Sequence, residues 1–355
     1  VPNPFLFRGP GSSLPPPPPP PGRKRLLSEH EKNAYAVINN DENIRLNSSS
    51  GGIFSLLAEE TIKENGIVFG VQFSEDFSVE HGYTDNVKGI EKFRGSKYVQ
   101  SRTGEAYKKC KIFLEEGRQV LFSGVPCQIS GLKTFLGMEY RNLLSVDLIC
   151  KGVPSPKVWE KYLDYIKTKY KSEIEGISFR CKYYGWYKKS IEIKFKNGKV
   201  YRALNGKDAY MKMFGNSINL RPSCYQCKYK TLEREADITI ADFWGIHEIC
   251  PEMYDEKGTS LVIVHTEKGE KAFNNIKEKT RIKKVKIEDA IKYNQNIIKS
   301  VKEPDKRKLF FEKLEKMPVE KLVKKYVDDP LIIRGYRFGK RCIGKIKRLI
   351  VKHGH

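Results

Sequence analysis

The chain has 355 residues, of which 39% are hydrophobic and 31% are charged. This balance excludes wholesale disorder and collagen-like or purely coiled-coil structure, and it predicts a globular protein of one large domain or two modest ones with tails. The 66 Lys and Arg residues outnumber the 43 Asp and Glu residues, which gives a net charge of +23. This charge favours acidic partners such as nucleic acid, an anionic membrane or a phosphate-bearing cofactor, although a solvated lysine-rich surface is the simpler explanation.

The apolar segments bear on localisation. The longest apolar runs, residues 66–73 and 143–150, have the length of strands and are too short for a membrane-spanning helix. The N-terminus has no apolar signal region and instead carries seven consecutive prolines, Pro15 to Pro21. We therefore expect a cytoplasmic protein, in which the eight cysteines are free thiols or metal ligands and not disulfides.

The first half of the chain has the pattern of an α/β domain. Residues 1–30 combine Pro, Gly and Ser with a short basic run, which predicts a disordered or polyproline arm. Beyond this arm, short β-rich runs alternate with amphipathic segments of helical length. The pattern predicts strands at residues 35–38, 67–73, 119–123 and 143–149. It predicts helices at residues 53–65, 103–116, 126–136 and 156–170.

The second half begins with an antiparallel pattern. Apolar residues alternate up to Asn197-Gly198 and resume at residue 200, which is a type I′ hairpin signal. Strands at residues 237–241 and 261–265 resume the core pattern, and a lysine-rich helical region begins near residue 287. We predict a mixed α/β fold: an open, largely parallel sheet with flanking helices, a smaller antiparallel β element and a basic helical C-terminus. The predicted parts are an arm (1–30), an α/β part (31–175), a β insertion with a C-x-x-C pair (176–285) and a C-terminal region (286–355).

Four cysteines, Cys127, Cys150, Cys224 and Cys227, lie where a predicted strand ends or a tight loop begins. If the strands before Cys127 and Cys150 are parallel, right-handed crossover places both cysteines at one edge of the sheet, where open α/β sheets bind ligands. Cys127 also follows Pro126 in the first turn of a predicted helix, where the helix dipole favours a thiolate. The C-x-x-C pair supplies two further thiolates from one loop.

Four thiolates fit either a structural zinc ion or an iron-sulfur cluster. Zinc ribbons use two C-x-x-C pairs close together, whereas here one pair accompanies two isolated cysteines, so the spacing favours the cluster. Four unrelated buried thiols are the plain alternative. We expect no ligand role for the cysteines that lie outside strand edges and paired loops: Cys110, Cys181, Cys250 and Cys342.

Further polar segments offer groups to an anionic or aromatic ligand. A Ser- and Gly-rich segment opens the first long helix and suits a dinucleotide pyrophosphate, although it lacks the Rossmann and Walker spacings and an ordinary N-cap explains it equally well. Two loops could line a flavin or be plain loops, and one acid at a strand end borders a redox pocket or caps a turn. The candidate residues of these segments are Ser48, Ser49, Ser50, Gly51, Gly52, Ser96, Lys97, Tyr98, Gly124, Pro126 and Asp242.

With these motifs in this order, residues 35–279 resemble the coenzyme F-420 hydrogenase/dehydrogenase beta subunit family. The resemblance implies a flavin-dependent oxidoreductase that binds FAD and a 4Fe-4S cluster, with coenzyme F420 or another electron carrier as its substrate. It implies flavin binding by residues 31–175 and cluster ligation by Cys127, Cys150, Cys224 and Cys227. The motifs that carry it are Ser48-Ser49-Ser50-Gly51-Gly52, Ser96-Lys97-Tyr98-Val99-Gln100-Ser101, Ser123-Gly124-Val125-Pro126-Cys127-Gln128, Asp147-Leu148-Ile149-Cys150-Lys151-Gly152, Arg221-Pro222-Ser223-Cys224-Tyr225-Gln226-Cys227 and Asp237-Ile238-Thr239-Ile240-Ala241-Asp242-Phe243-Trp244-Gly245.

The chain departs from the family pattern at its N-terminus. Many relatives begin with a ferredoxin-like domain, and here a proline-rich arm takes that place, so we expect a ferredoxin or a partner redox subunit to donate electrons. Relatives are often encoded beside surface-polysaccharide genes, which makes polysaccharide biosynthesis an expected setting. The basic segment from Arg334 to Lys352 could hold the enzyme peripherally at the inner face of an anionic membrane, although a solvated tail is the simpler expectation.

Two rival hypotheses accompany the redox interpretation. The net charge of +23 and the C-x-x-C pair also fit a basic nucleic-acid-binding protein with a structural four-cysteine zinc site. The missing ferredoxin-like domain also fits a degenerate, cofactor-free scaffold within a polysaccharide assembly. The redox interpretation predicts no nucleic-acid partner, and it is the one that the separate motifs favour.

Overall fold

A computed structural model describes residues 33–328 of the chain. The predicted proline-rich arm, the basic segment from Arg334 to Lys352 and Cys342 lie outside the described residues. Within residues 33–328, no helix is both long and apolar enough to cross a membrane.

An eight-stranded mixed sheet forms the centre of the described part, in the order β11-β1-β10-β9-β5-β4-β2-β3. A separate three-stranded sheet has the order β6-β7-β8. The strands are β1 (Asn33–Asn39), β2 (Ile67–Phe73), β3 (Val79–Thr84), β4 (Val120–Gly124), β5 (Leu143–Leu148), β6 (Ile174–Cys181), β7 (Ser190–Phe195), β8 (Val200–Leu204), β9 (Ile238–Asp242), β10 (Ser260–Val264) and β11 (Thr280–Val285).

Helices cover the large sheet and connect its strands. The α-helices are α1 (Glu42–Leu46), α2 (Ile53–Lys63), α3 (Ala106–Glu115), α4 (Pro126–Leu136), α5 (Pro156–Tyr170), α6 (Ala209–Gly215), α7 (Ile246–Ile249), α8 (Glu267–Asn274), α9 (Ile287–Lys292), α10 (Arg307–Lys313) and α11 (Val319–Tyr326). Pro126 begins α4, because proline supplies a helical φ where no N–H is needed, and Gly137 ends it at a positive φ of 70°.

The middle of the large sheet is parallel. β2, β4, β5 and β9 pair in parallel, and the core residues Val120, Leu121 and Phe122 of β4 are at most 1% exposed. Strands covered by helices on both faces are continuously apolar, which explains the short apolar runs of the sequence. β1, β3, β10 and β11 add antiparallel pairs at the two sides. The predicted α/β fold class is confirmed, with the parallel region confined to the centre.

The small sheet packs on an aromatic core. β7 and β8 form the predicted hairpin around Asn197-Gly198. The predicted type I′ turn is wrong, because that turn needs a positive φ at both residues and only Gly198 has one, at 80°. Trp159 of α5 contacts Phe179 and Tyr210 with ring centroids 5.1 and 4.7 Å apart. The large sheet takes strands from both sides of residue 175, so the antiparallel element is an insertion within it. The predicted domain limits stay predictions.

Candidate functional site

Two sequence-predicted cysteines lie at one edge of the large sheet. β4 and β5 are parallel neighbours, and α4 connects them, so their C-terminal ends meet at the same edge. Cys127 occupies the first turn of α4, just beyond β4, and Cys150 follows the end of β5 by two residues. The sequence-based prediction that these two residues share an edge is confirmed.

The C-x-x-C loop packs against the loop that carries Cys150. Gly152 lies between them at a φ of +150°, and a Cβ there would come within 2.8 Å of the Leu220 side chain and 3.2 Å of the Cys224 Cβ. Glycine therefore permits the close approach of the two cysteine-bearing loops. The backbone N–H of Val153 donates to the Cys224 Sγ at 3.4 Å, a contact that stabilises negative charge on sulfur.

The four thiols line one open pocket, which we call the thiol pocket. Its cations are Lys151, Lys230 and Arg234. Lys230 donates to the backbone carbonyl oxygen of Cys150 and, at 2.7 Å, to that of Asn296. The residues that complete the lining are Val125, Pro126, Gly152, Val153, Tyr229 and Asn296.

Two thiols of this pocket, those of Cys127 and Cys150, resist ionisation. Desolvation by the surrounding protein raises the pKa of Cys150 to about 12 and also raises the pKa of Cys127, although Cys127 lies at the pocket rim. The expected lowering of the Cys127 pKa by the dipole of α4 is outweighed by this desolvation and by the neighbouring sulfurs of Cys227 and Cys224. A bound metal group would reverse the balance, since thiols deprotonate when they coordinate a metal.

The spacing of the thiols bears on which metal group fits. Among residues 33–328, no three His, Cys, Asp or Glu side chains converge to hold one metal ion. Zinc in a tetrahedral four-cysteine site needs sulfurs about 3.8 Å apart, given Zn–S bonds of about 2.3 Å. In a four-iron cluster each thiolate binds a different iron, so the four sulfurs stand further apart. Four thiols that line one pocket supply the donor set that both groups use.

A second polar cluster, the Arg180 cluster, comprises Arg180, Asp242, Tyr98, Ser49 and Trp186. The buried Arg180 guanidinium donates to both carboxylate oxygens of Asp242, at 2.5 and 3.0 Å. It also donates to the Tyr98 hydroxyl and to the Ser49 carbonyl, each at 3.4 Å. The indole N–H of Trp186 donates to Asp242 at 2.9 Å. Arg180 thus joins three of the segments that the sequence singled out.

The Ser- and Gly-rich segment before α2 is held by hydrogen bonds and close packing within the protein. Ser48 donates to the Ile44 carbonyl, and Ser50 donates to the Thr259 carbonyl at 2.7 Å. A Cβ on Gly51 would lie 2.4 Å from a backbone oxygen of β1. Gly52, at a φ of +85°, is the N-cap of α2. The segment therefore offers a ligand the backbone at the start of α2, and its hydroxyls and Gly51 serve packing.

Ser96 and Lys97, from the first predicted flavin-lining segment, are held by hydrogen bonds within the protein. Ser96 bonds to Ser49, with its N–H donating to the Ser49 hydroxyl at 2.7 Å, so it borders the Arg180 cluster. Lys97 donates to the carbonyls of Lys92 and Arg94, and burial lowers its pKa to about 7.

The loop that begins α4 contributes to the thiol pocket. Pro126 lines the thiol pocket. The Cβ that Gly124 lacks would contact Gln128 at 3.3 Å, so Gly124 lies against the start of α4. Gln128 in turn donates to the Ser101 hydroxyl at 2.9 Å, so the start of α4 also contacts the segment that follows Tyr98. The predicted flavin contact of this loop stays a prediction.

Sequence reasoning missed the residues that connect the thiol pocket and the Arg180 cluster. Lys151 of the thiol pocket donates to the Phe214 carbonyl at 2.9 Å, and Phe214 stacks on Tyr98 with centroids 4.7 Å apart. Lys189 places its ammonium 3.8 Å from the ring centroid of Trp244, which stacks on Trp186. Lys151 and Trp244 had a signal in the sequence, since both belong to motifs of the family resemblance, whereas Phe214, Lys189 and Trp186 had none.

The chain is similar to a known protein family and to a chain of a solved structure. Residues 117–290 match the family model for the C-terminal part of the beta subunit of coenzyme F420 hydrogenase/dehydrogenase, which confirms the resemblance seen in the motifs. No curated protein matches the chain. A chain of the xenon-derivatized F420-reducing NiFe hydrogenase complex from Methanosarcina barkeri is 17% identical with a TM-score of 0.49, over 85% of this chain and 92% of that chain. The matched region contains the four thiols, Arg180 and Asp242, and the segments with Ser49 and Tyr98 precede it.

Proposed function

We propose that the chain is an oxidoreductase of the hydrogenase/dehydrogenase type that uses FAD and a 4Fe-4S cluster, because residues 117–290 match the beta subunit model of the coenzyme F420 hydrogenase/dehydrogenase family. The observation that carries the proposal is that four thiols from three separate segments line one pocket at the edge of the sheet. When bound, the cluster supplies one-electron chemistry and FAD supplies two-electron chemistry.

In this proposal Cys127, Cys150, Cys224 and Cys227 hold the cluster. The thiol pocket supports the assignment through its donor set, through Gly152, which allows its two loops to approach, and through the Val153 N–H directed at a sulfur. Lys230 and Lys151 place positive charge at the pocket, which favours ionised ligands there.

The proposed flavin site is the region of the Arg180 cluster. Arg180 fixes Tyr98 and the Ser49 backbone in place, and Asp242 holds the guanidinium. Phosphate groups of FAD would find the helical N-terminus of α2 beyond Gly52. The cationic side chains of Arg180 and Lys189 and the aromatic ring of Trp244 suit an anionic, planar ring system. This position lies next to the thiol pocket through the contacts of Lys151 with Phe214 and of Phe214 with Tyr98.

The finer parts of the function are proposals on the same basis. A ferredoxin or a partner redox subunit would deliver electrons, and coenzyme F420 or another carrier would be the acceptor or donor at the flavin. The exposed position of Cys127 at the rim of the thiol pocket suits electron exchange with a protein partner. The polysaccharide setting, the cytoplasmic location and the peripheral membrane contact rest on the family resemblance and on the charge of the chain.

The test is an anaerobic reductive titration of protein reconstituted with FAD, iron and sulfide. Absorbance is followed separately in the flavin band near roughly 450 nm and the broad cluster band near roughly 400 nm. The proposal predicts that both bands bleach in the native protein and that only the flavin band is present in a Cys127→Ser variant. Protein that retains neither FAD nor iron after gel filtration would overturn it, and a single retained zinc would favour the zinc-binding alternative.

A further inference from the structure

Arg234, which lines the thiol pocket, has a hydrogen-bond donor without a partner among the described residues. The Arg234 side chain is 2% exposed and lines the pocket. Its Nε–H is buried and has no hydrogen-bond partner among the described residues. Buried donors in native proteins almost always have a partner, so an orphaned N–H beside a ligand pocket indicates a missing acceptor.

A buried chain of hydrogen bonds holds this arginine in place. Its Nη1 donates to Asp147 and to the Tyr229 carbonyl, each at 3.4 Å. Asp147 lies on β5, and its other oxygen accepts the Thr239 hydroxyl at 2.5 Å. The Thr239 oxygen is 2.8 Å from Nε2 of His265. Because the single hydroxyl proton goes to Asp147, the imidazole donates Nε2–H to Thr239, which orders the whole chain.

The other two cations of the pocket use their ammonium groups to bind backbone carbonyls. Lys230 directs its ammonium at the carbonyls of Cys150 and Asn296, and Lys151 directs its own at those of Phe214 and Gly215. Both therefore brace loops. Arg234 combines a fixed side chain, a positive charge and an unused N–H.

We propose that Arg234 sets the reduction potential of the group held by the four thiols, by donating its Nε–H to a sulfur of that group. This inference rests on the proposed function, since it needs a sulfur-containing redox group in the pocket. Reduction adds one electron and therefore one negative charge to that group. A fixed N–H donor and a cation beside a sulfur stabilise the reduced form and raise the potential. The chain from Asp147 to His265 keeps the donor in position.

The test is an EPR-monitored potentiometric titration of reconstituted full-length protein. Removing Arg234 alone leaves the buried Asp147 carboxylate without its cation, which endangers folding. The first variant is therefore the neutral pair Asp147→Asn with Arg234→Gln. We expect its equilibrium constant for reduction to fall at least about tenfold, which corresponds to a midpoint about 59 mV lower for one electron. A second variant, Thr239→Val, keeps both charges and loosens the arginine, and it should shift the midpoint less, in the same direction.

The matched control is Arg118→Gln. Arg118 is half-buried at the N-terminal end of β4, on the opposite edge of the sheet, where it donates to the Asn65 carbonyl. Its removal changes the net charge by one unit and should leave the midpoint unchanged. A native midpoint in both pocket variants, with iron and sulfide at native content, would overturn the role of Arg234 alone. Native protein without iron and sulfide would overturn the proposed function and this inference together.

Discussion

The Arg180 cluster and the thiol pocket lie on the same edge of the sheet but balance their charges differently. Arg180 has its own carboxylate, Asp242, held by two hydrogen bonds, and that carboxylate also accepts the Trp186 N–H. In the thiol pocket, Lys230 bonds to backbone carbonyls while the thiol of Cys150 stays neutral at a pKa of about 12. The cations there lie beside a Cys150 thiol that carries no charge.

The Arg180 cluster therefore pairs its charges within the protein, whereas the thiol pocket does not. The Arg180 cluster is balanced without a ligand, so it can stay ordered and present its aromatic and polar surfaces. The thiol pocket reaches balance only when its sulfurs ionise, and metal coordination is the step that ionises thiols at neutral pH. Changes in the pocket should therefore act first on cofactor content, and changes in the Arg180 cluster should act first on stability.

The largest effect is expected from Cys150→Ser. A serine oxygen cannot replace the thiolate, so we expect loss of nearly all protein-bound iron and sulfide, with little change in the unfolding midpoint of the metal-free protein. Cys181→Ser is the control, because Cys181 lies in the small sheet and bonds to Glu192. Iron and sulfide are quantified chemically after anaerobic reconstitution. Native iron content in Cys150→Ser would contradict the ligand assignment.

Arg180→Gln should act mainly on stability. It leaves the largely buried Asp242 without its cation, and breaking a buried ion pair costs about 3–5 kcal/mol. Urea unfolding measures the loss, and equilibrium dialysis with FAD should show weaker flavin binding. Arg202→Gln removes an arginine of the same sheet that pairs with Glu192 near the surface, and we expect it to change neither quantity appreciably. Equal effects of the two substitutions would contradict the role of Arg180 in stability and in flavin binding.

A pH dependence should arise from His81, which lies beside the end of β4. Burial lowers its pKa to about 4 from 6.5. The unfolded chain therefore binds a proton between these values that the folded protein does not, and stability falls as the pH falls through this window. The full effect is about 3 kcal/mol.

His81→Gln isolates this effect. Urea unfolding at about pH 7 and about pH 5 should show a smaller loss of stability for the variant than for the native protein. Identical losses would mean that His81 is protonated equally in the folded and unfolded states. The result would show whether His81, like the Cys150 thiol, is neutral in the folded protein.

The smallest effect is expected from Gly152→Ala. The φ of +150° disfavours any side chain, and the added Cβ would press on Leu220 and Cys224. We expect a stability loss of about 1–2 kcal/mol from the backbone alone and a partial loss of iron. Gly198→Ala is the control, since Gly198 also has a positive φ but nothing lies within 4 Å of its added Cβ. Iron loss in the control and retention in Gly152→Ala would contradict the role of Gly152.

Much of the fold was predictable because its signals are local. The proline at position 126 fixed the start of α4, and short apolar runs marked β2, β4 and β5 to within one residue or so. The shared edge of Cys127 and Cys150 followed from the crossover rule alone. The antiparallel direction of β10 was not predictable, since a buried run of apolar residues carries no sign of its direction.

The finer architecture of the site depends on distant parts of the chain. Ser50 bonds to Thr259, 209 residues away, so its apparent freedom to bind an anion could not be judged from its neighbours. Arg180 lies 131 residues from Ser49 in an ordinary strand, and no motif marks it. Arg234 likewise becomes significant only when β5 brings Asp147 beside it. Side-chain partners set by tertiary packing have no local signature.

The most direct test of the central claim is the composition of protein purified anaerobically without reconstitution. Iron, sulfide, zinc and flavin are measured on one sample whose absorbance spectrum is also recorded. We expect about four irons and four sulfides per chain together with bound FAD. A colourless protein with one zinc and no flavin would contradict it in favour of the zinc-binding alternative, and a colourless protein without metal would contradict it in favour of the scaffold.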